Sequence, residues 1–267
     1  MKIAFTKMTG AGNDFVVIDN RSRSVALDSE KIQKLCDRYF GVGADGVLAV
    51  EPGEQGADFR MRYYNADGGE AEMCGNGTRC FARFVQPWIK KDSVSFMTMA
   101  GLIRARYVGD EVEINMTRPT DLKPDQILST TLGKQTVHSI NTGVPHVVLF
   151  VEDLAQAPVL ELGRELRYHE AFAPKGTNVN FAKVTGPQRI DVRTYERGVE
   201  NETLACGTGV TAAAILAHYI KKMPAPILVG VKSQRVLKIN FKSSGDNFED
   251  VTMQGPAEFI FHGEITV

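Results

Sequence analysis

Two stretches of one pattern, Cys74-Gly75-Asn76-Gly77 and Cys206-Gly207-Thr208-Gly209, lie 132 residues apart in a chain of 267. Each opens an apolar stretch with helical periodicity, so each cysteine falls where a helix begins. Glycine is a poor helix former, and two in a first turn need a reason. They clear side chains from backbone N–H groups at the positive end of the helix dipole, where a carboxylate fits. The same field favours a thiolate over a thiol. If the halves of the chain face each other about a pseudo-dyad, the two cysteines flank one cleft. A thiolate on one face of a carbon and a thiol on the other is what inversion of a stereocentre by proton transfer requires. A thiol pair also suits a regulatory disulfide, and at this point that alternative stays open.

The elements around these motifs repeat. Tyr63 and Tyr195, Glu70 and Glu202, Ala82 and Ala214 keep the spacing of the cysteines, and Thr9-Gly10 before Phe15-Val16-Val17-Ile18 resembles Thr142-Gly143 before Val147-Val148-Leu149-Phe150. This order predicts an internal duplication into two similar α/β halves. We place them at residues 1–120 and 121–267, with Arg118–Pro124 as the crossing segment. Ile3–Met8, Phe15–Ile18, Val47–Val50 and Phe59–Tyr64 read as strands. Asp28 or Ser29 caps a helix running through Ile32, Leu35, Cys36, Tyr39 and Phe40 to Gly41. A second helix is expected from Gly75 to about Lys90. Leu102–Val108 and Glu111–Met116 flank Gly109-Asp110, a hairpin signal.

Composition bounds the function. Hydrophobic residues make up 43%, charged residues 24%, and 31 Lys and Arg balance 32 Asp and Glu, for a net charge of -1. Nucleic acid or an anionic membrane would call for a concentrated cationic excess, so neither is an expected partner. Four unevenly placed cysteines do not make a disulfide framework, and with no signal peptide or long apolar run we expect a soluble protein of the reducing cytoplasm. The five histidines lack zinc-type spacing, so no metal is expected. Gly41-Val42-Gly43-Ala44-Asp45-Gly46 fits a dinucleotide pattern, but a helix precedes it and a strand follows, the reverse of what phosphate binding needs. It reads as a helix end and a tight turn. Cys36 and Cys80 read as core.

Taken jointly, Gly12-Asn13-Asp14-Phe15, Asn65-Ala66-Asp67-Gly68, Met73-Cys74-Gly75-Asn76-Gly77, Pro145-His146, Thr177-Asn178, Tyr195-Glu196-Arg197-Gly198 and Ala205-Cys206-Gly207-Thr208-Gly209 resemble the diaminopimelate epimerase family over almost the whole chain. The resemblance implies a cofactor-independent isomerase, without pyridoxal phosphate, that interconverts LL- and meso-diaminopimelate for lysine and peptidoglycan. It also implies two pseudosymmetric α/β halves, each a curved mixed sheet around a central helix, with the last strand, near residues 260–267, returning to the first half. A homodimer is suggested by the resemblance alone. By position, Cys74 and Cys206 match the acid and base, with His146 and Glu196 set beside them as catalytic residues. Gly75, Asn76, Gly207 and Thr208 match the cradle for the α-carboxylate, and Asn13, Asn65, Asn178, Glu196 and Arg197 match substrate-binding positions. Arg197 can pair bidentately with a carboxylate and Glu196 can hold an ammonium. Two positions depart from the pattern: Gly46 where some members carry Gln, and Val144 where many carry Asn. A related cysteine-pair racemase of the proline type and a non-enzymatic thiol redox sensor are the rival readings.

Overall fold

The computed structural model describes residues 1–267 and separates them into two compact units, Met1–Ile114 with Gly255–Val267, and Asn115–Gln254. In the first, β1 (Lys2–Gly10), β2 (Asn13–Asp19), α1 (Ser29–Cys36), β3 (Gly46–Pro52), β4 (Phe59–Asn65), β5 (Glu70–Ala71), α2 (Gly75–Val85), β6 (Ser93–Thr98), β7 (Gly101–Val108) and β8 (Glu111–Asn115) follow in chain order. In the second, β9 (Thr120–Thr130), β10 (Gly133–Asn141) and β11 (Pro145–Phe150) precede α3 (Glu161–Arg167). After it come β12 (Asn178–Gly186), β13 (Arg189–Glu196), β14 (Asn201–Thr203), α4 (Gly207–Lys221), β15 (Ile227–Val231), β16 (Val236–Ser244) and β17 (Asn247–Pro256). The chain ends in β18 (Glu258–Thr266), which pairs antiparallel with β1.

The pairings of one unit restate those of the other. β1 and β2 are antiparallel, β2 and β3 parallel, β3 and β4 antiparallel, and β4 and β6 parallel. In the second unit β10 and β11, β11 and β12, β12 and β13, and β13 and β15 run in the same senses. Each sheet is mixed and wraps one helix. α2 packs against β1, β2, β3 and β7, and α4 against β10, β11, β12, β13, β15 and β16. Residues 209–217 of α4 are all buried, which matches a helix that is apolar all round. The outer face of each sheet is covered by the shorter helix. Ile32 and Leu35 of α1 close a core with Ile3, Phe5, Val16, Ile18 and Val47, and Leu162 and Leu166 of α3 close one with Val147, Leu149, Val179 and Phe181. The duplication inferred from the cysteine spacing is thus a duplication of topology.

Local expectations fared unevenly. The Gly109-Asp110 hairpin forms in the expected register, with Tyr107 opposite Val112 and Ala105 opposite Ile114. Helix α1 begins at its Asp28 cap but stops at Cys36 rather than Gly41. Asp37 Oδ1 accepts from the N–H groups of Tyr39 and Phe40, both at 2.7 Å, and turns the chain out of the helix. Tyr39 and Phe40, expected on the apolar face of the helix, are therefore 91% and 76% exposed. Helix α2 ends at Val85, and a short 3-10 turn at Gln86–Trp88 replaces its expected last turn, as Pro87 requires. The proline-bearing stretch is strand from Thr120 onward. β9 absorbs Pro124, which has no N–H to give, at a register shift where Asp125 adopts φ 52° and its N–H donates to His138 Nδ1. Cys36 and Cys80 are buried, as expected, and burial pushes both thiols up to about 12. No helix is long and apolar enough to cross a membrane.

Candidate active site

Each central helix starts at its cysteine. Cys74 and Cys206 are extended N-cap residues, with φ and ψ of -133° and 119° in one and -121° and 110° in the other, and neither side chain makes a capping hydrogen bond. The ladders open with Thr78 N–H donating to Cys74 O (2.8 Å) and Val210 N–H to Cys206 O (2.9 Å). The N–H groups of residues 75–77 and 207–209 therefore lie ahead of the helical bonds, at the positive end of each helix. The two glycines of each motif have different jobs. A Cβ on Gly77 would lie 3.2 Å from the Phe15 ring and 3.3 Å from Leu48, and one on Gly209 would lie 2.4 Å from Asn180 Oδ1. The second glycine lets the helix approach its sheet, so the ligand-access argument applies to Gly75 and Gly207 alone.

The other expected residues gather at one end of each sheet because of where strands begin and end. In the first unit β2 starts at Asn13, β3 at Gly46, and antiparallel β4 ends at Asn65. In the second, β11 starts at Pro145-His146, β12 at Asn178, and β13 ends at Glu196, with Arg197 next. The residue between the glycines joins each helix to this end. Asn76, buried, donates from Nδ2 to Asn13 Oδ1 (2.6 Å) and accepts from Arg79 Nη2 (2.8 Å). Thr208 Oγ1 lies 2.9 Å from His146 Nε2 and 3.5 Å from Cys206 Sγ.

Further residues brace the first unit. Asn13 Nδ2 donates to Asp45 Oδ2 (2.9 Å), and Arg38 bridges Asp45 and Asp14. Lys7 pairs with Asp14 at 2.7 Å and also meets Gly43 O. Burial pushes the Asp14 carboxyl up, but hydrogen bonds and charge from Arg38 and Lys7 outweigh it and hold the group at about 2. The glycine-rich turn at 41–46 thus presents Asp45 to Asn13. Arg79 is fully buried and reaches Pro256 O and Gly75 O, both at 3.3 Å. Burial pulls its guanidinium down to about 10, with Cys80, Cys74 and Glu111 acting against that pull.

In the second unit Asn178 donates to Pro145 O (3.0 Å) and accepts from Arg197 N–H (2.9 Å), so much of its amide holds the backbone around His146 and Arg197. The Arg197 guanidinium donates to Lys175 O at 3.3 Å and stays half-buried, as does Glu196. His146 is fully buried; that burial, with the nearby charge of Arg197, pulls its imidazole down to about 3 and keeps it neutral. Asn65 is exposed on its turn and accepts from Tyr63 Oη (2.7 Å). The Gly46 departure has a steric reason: a Cβ there would meet Tyr64 O at 2.4 Å and the Tyr63 ring at 2.8 Å. Nothing in the structure explains Val144. No three His, Cys, Asp or Glu side chains converge to hold a metal ion.

Asp45, Arg79, Asn180 and Thr194 were not singled out from sequence. The one visible signal is the polar pair Asn178 and Asn180, two apart in the buried, largely apolar first half of the strand and therefore on one face of it.

Two duplicated units, each a mixed sheet around a helix opened by Cys-Gly-x-Gly, define a fold class shared with solved structures. A phenazine biosynthesis protein of the PhzF family from Bacillus anthracis superposes with a TM-score of 0.77 at 15% identity, over 100% of both chains. A hydroxyproline epimerase from Agrobacterium vitis gives 0.73 at 14%, over 99% of this chain and 92% of that one. At such identities the likeness is one of fold. Sequence comparison is more specific. The profile described as diaminopimelate epimerase matches residues 5–122 and 138–260. Proteins named diaminopimelate epimerase from Aquifex aeolicus and Archaeoglobus fulgidus are 41% and 42% identical, each over 98% of this chain and over 97% and 96% of theirs. The chain belongs to the diaminopimelate epimerase family, and is an isomerase.

Proposed function

We propose that this protein interconverts LL- and meso-diaminopimelate by a two-thiol proton transfer that uses no cofactor, in the supply of lysine and peptidoglycan precursors. The observation that carries the reading is the matched pair of cysteines, each at the N-cap of the central helix of its unit with the same backbone conformation. One sulfur, as thiolate, takes the α-hydrogen as a proton, and the electron pair left on carbon is delocalised toward the α-carboxylate. The other, as thiol, delivers its proton to the opposite face, so the thiols exchange protonation states in each turnover. The N–H groups opening α2 and α4 receive the carboxylate as its charge grows, a role for Gly75, Asn76, Gly207 and Thr208. Arg197, Glu196, Asn13, Asn65 and Asn178 hold the ends of the substrate, with Asn178 acting partly through the backbone it fixes. The need for two reduced sulfurs supports a cytoplasmic location. Incubation of the reduced protein in D2O with diaminopimelate, proline and other amino acids tests the reading. We expect deuterium at the α-carbon of diaminopimelate. Exchange confined to proline would favour the racemase reading, and none in any substrate would leave the redox-sensor reading.

We also propose a homodimer, supported by the exposed Phe259, Ile260 and Phe261 on β18. Analytical ultracentrifugation should find twice the chain mass, and a monomer at every concentration tried would sink the proposal.

A further inference from the structure

We propose that Asn180 is a positioning residue for Cys206: by fixing the tautomer of His146, it directs the hydroxyl proton of Thr208 onto the cysteine sulfur. Asn180, Thr194, His146, Thr208 and Cys206 form one connected set of side chains in the second unit. Asn180 Nδ2 donates to the carbonyl of Val147 (3.0 Å), and a carbonyl can only accept, so the orientation of the amide is set. Its Oδ1 accepts from Thr194 Oγ1 (2.9 Å), which agrees with that orientation. The same Nδ2 lies 3.2 Å from His146 Nδ1, which must then be the acceptor. A neutral imidazole that accepts at Nδ1 carries its proton on Nε2. That N–H meets Thr208 Oγ1 at 2.9 Å and uses the oxygen as an acceptor. The hydroxyl proton is left for the sulfur at 3.5 Å. In the opposite tautomer Nε2 would accept the same proton and compete with the sulfur for it.

Two features favour this assignment. His146 is buried and held neutral, so it keeps a distinct donor and acceptor nitrogen. Gly209 leaves the space that Asn180 Oδ1 occupies, since a Cβ there would lie 2.4 Å away. The glycine after Thr208 therefore also protects the amide that begins the relay. In the first unit the residue in the place of Thr208 is Asn76, which meets Asn13 and Arg79. The relay gives the Cys206 thiolate a hydrogen bond from its own helix turn.

The proposal rests on reading Cys206 as a reacting thiol, but its test needs no substrate and can fail separately from that reading. Nitrogen-15 NMR of the histidine rings, with His146 assigned by its absence from H146Q, should show the Nε2–H tautomer. In Asn180→Asp, a carboxylate in place of the amide should draw the proton to Nδ1. The second readout is the ultraviolet absorbance of the Cys206 thiolate in a Cys74→Ser background, at the pH where this thiol is half ionised. Cys36 and Cys80, pushed up to about 12, stay protonated there. Thr208→Val should lower the ionisation constant of the thiol about tenfold, the effect of losing one hydrogen bond to a charged group, so that the thiolate fraction falls from one half to about one tenth, and Thr208→Ser should restore it. Asn180→Asp should lower it as Thr208→Val does. An Nδ1–H tautomer in the unmodified protein, or a thiolate fraction unchanged in Thr208→Val, would overturn the proposal. Should Asn180→Asp fail to fold, the unmodified spectrum and the Thr208 pair still decide it.

Discussion

Alanine at either Cys74 or Cys206 is expected to lower epimerisation of diaminopimelate by roughly 100- to 10,000-fold, the usual contribution of a positioned acid or base. The fold should survive both changes. Each cysteine caps its helix without a side-chain capping bond, so removing the sulfur costs about 1 kcal/mol or less. The more telling result is isotopic. With one sulfur gone, the other can still take the α-hydrogen from its own face and return a solvent-derived proton to that face. Each single variant should therefore place deuterium in one epimer without inverting it, and the two variants should choose opposite epimers. Mass spectrometry of the separated stereoisomers reads this directly, with Cys36→Ala as a control whose buried, protonated thiol has no part in turnover. Epimerisation that persists with alanine at both positions would overturn the mechanism, as would two single variants that label the same epimer.

What could be seen in the sequence was whatever repeats or acts locally. The matched Cys-Gly-x-Gly motifs located both central helices, and a constant spacing was enough to infer a duplication that the strand pairings then reproduce. Gly109-Asp110 is a local turn signal, and its hairpin formed as read. Tyr39 and Phe40 mark the limit of periodicity. They continue the apolar spacing of α1, but one carboxylate at Asp37 offers their N–H groups a better arrangement than another helical turn, and both rings face solvent. Periodicity reports which side chains would share a face if the helix continued, and says nothing of whether it does.

The site divides in the same way. Cysteine at an N-cap can be read from two glycines and the helix behind them. The strand partners Asn13 of Asn76 and His146 of Thr208 cannot, because they lie distant in sequence and strand register sets who meets whom. Asp45 is the clearest case. A motif dismissed for its wrong order of strand and helix still carries a residue of the site's support, since the turn brings its carboxylate to Asn13. Gly77 and Gly209 teach the converse: glycines that suggested ligand access are there for contact between helix and sheet.

Acid should destabilise the protein well before its carboxylates are titrated, and His146 is the residue expected to contribute most, with His138, whose imidazole burial also pulls down, adding to it. Burial holds the folded-state imidazole at about 3 against its ordinary value of 6.5. The unfolded chain therefore binds a proton below 6.5 that the folded chain refuses until about 3, and stability falls as the pH drops through that window. The full difference is on the order of 5 kcal/mol, with about 3 kcal/mol of it spent between neutrality and about pH 4.5. That is a large share of the stability of an ordinary domain. Asp14 contributes in a lower window. Its carboxyl is depressed from 3.8 to about 2, so its stabilisation is present above 3.8 and lost only as the pH falls toward 2. The two effects can thus be separated by urea denaturation at a series of pH values. His146→Gln is the decisive variant, because a glutamine amide can accept from Asn180 and donate to Thr208 as the neutral ring does, yet has no proton to gain. The variant should lose most of the pH dependence between 6.5 and about 4 and keep the steeper loss below it. An unaltered slope in His146→Gln would show that the ring titrates in the folded state, and with that the fixed neutral donor beside Thr208 would be gone. The acid sensitivity and the orientation of the site are, on this account, two consequences of one buried neutral imidazole.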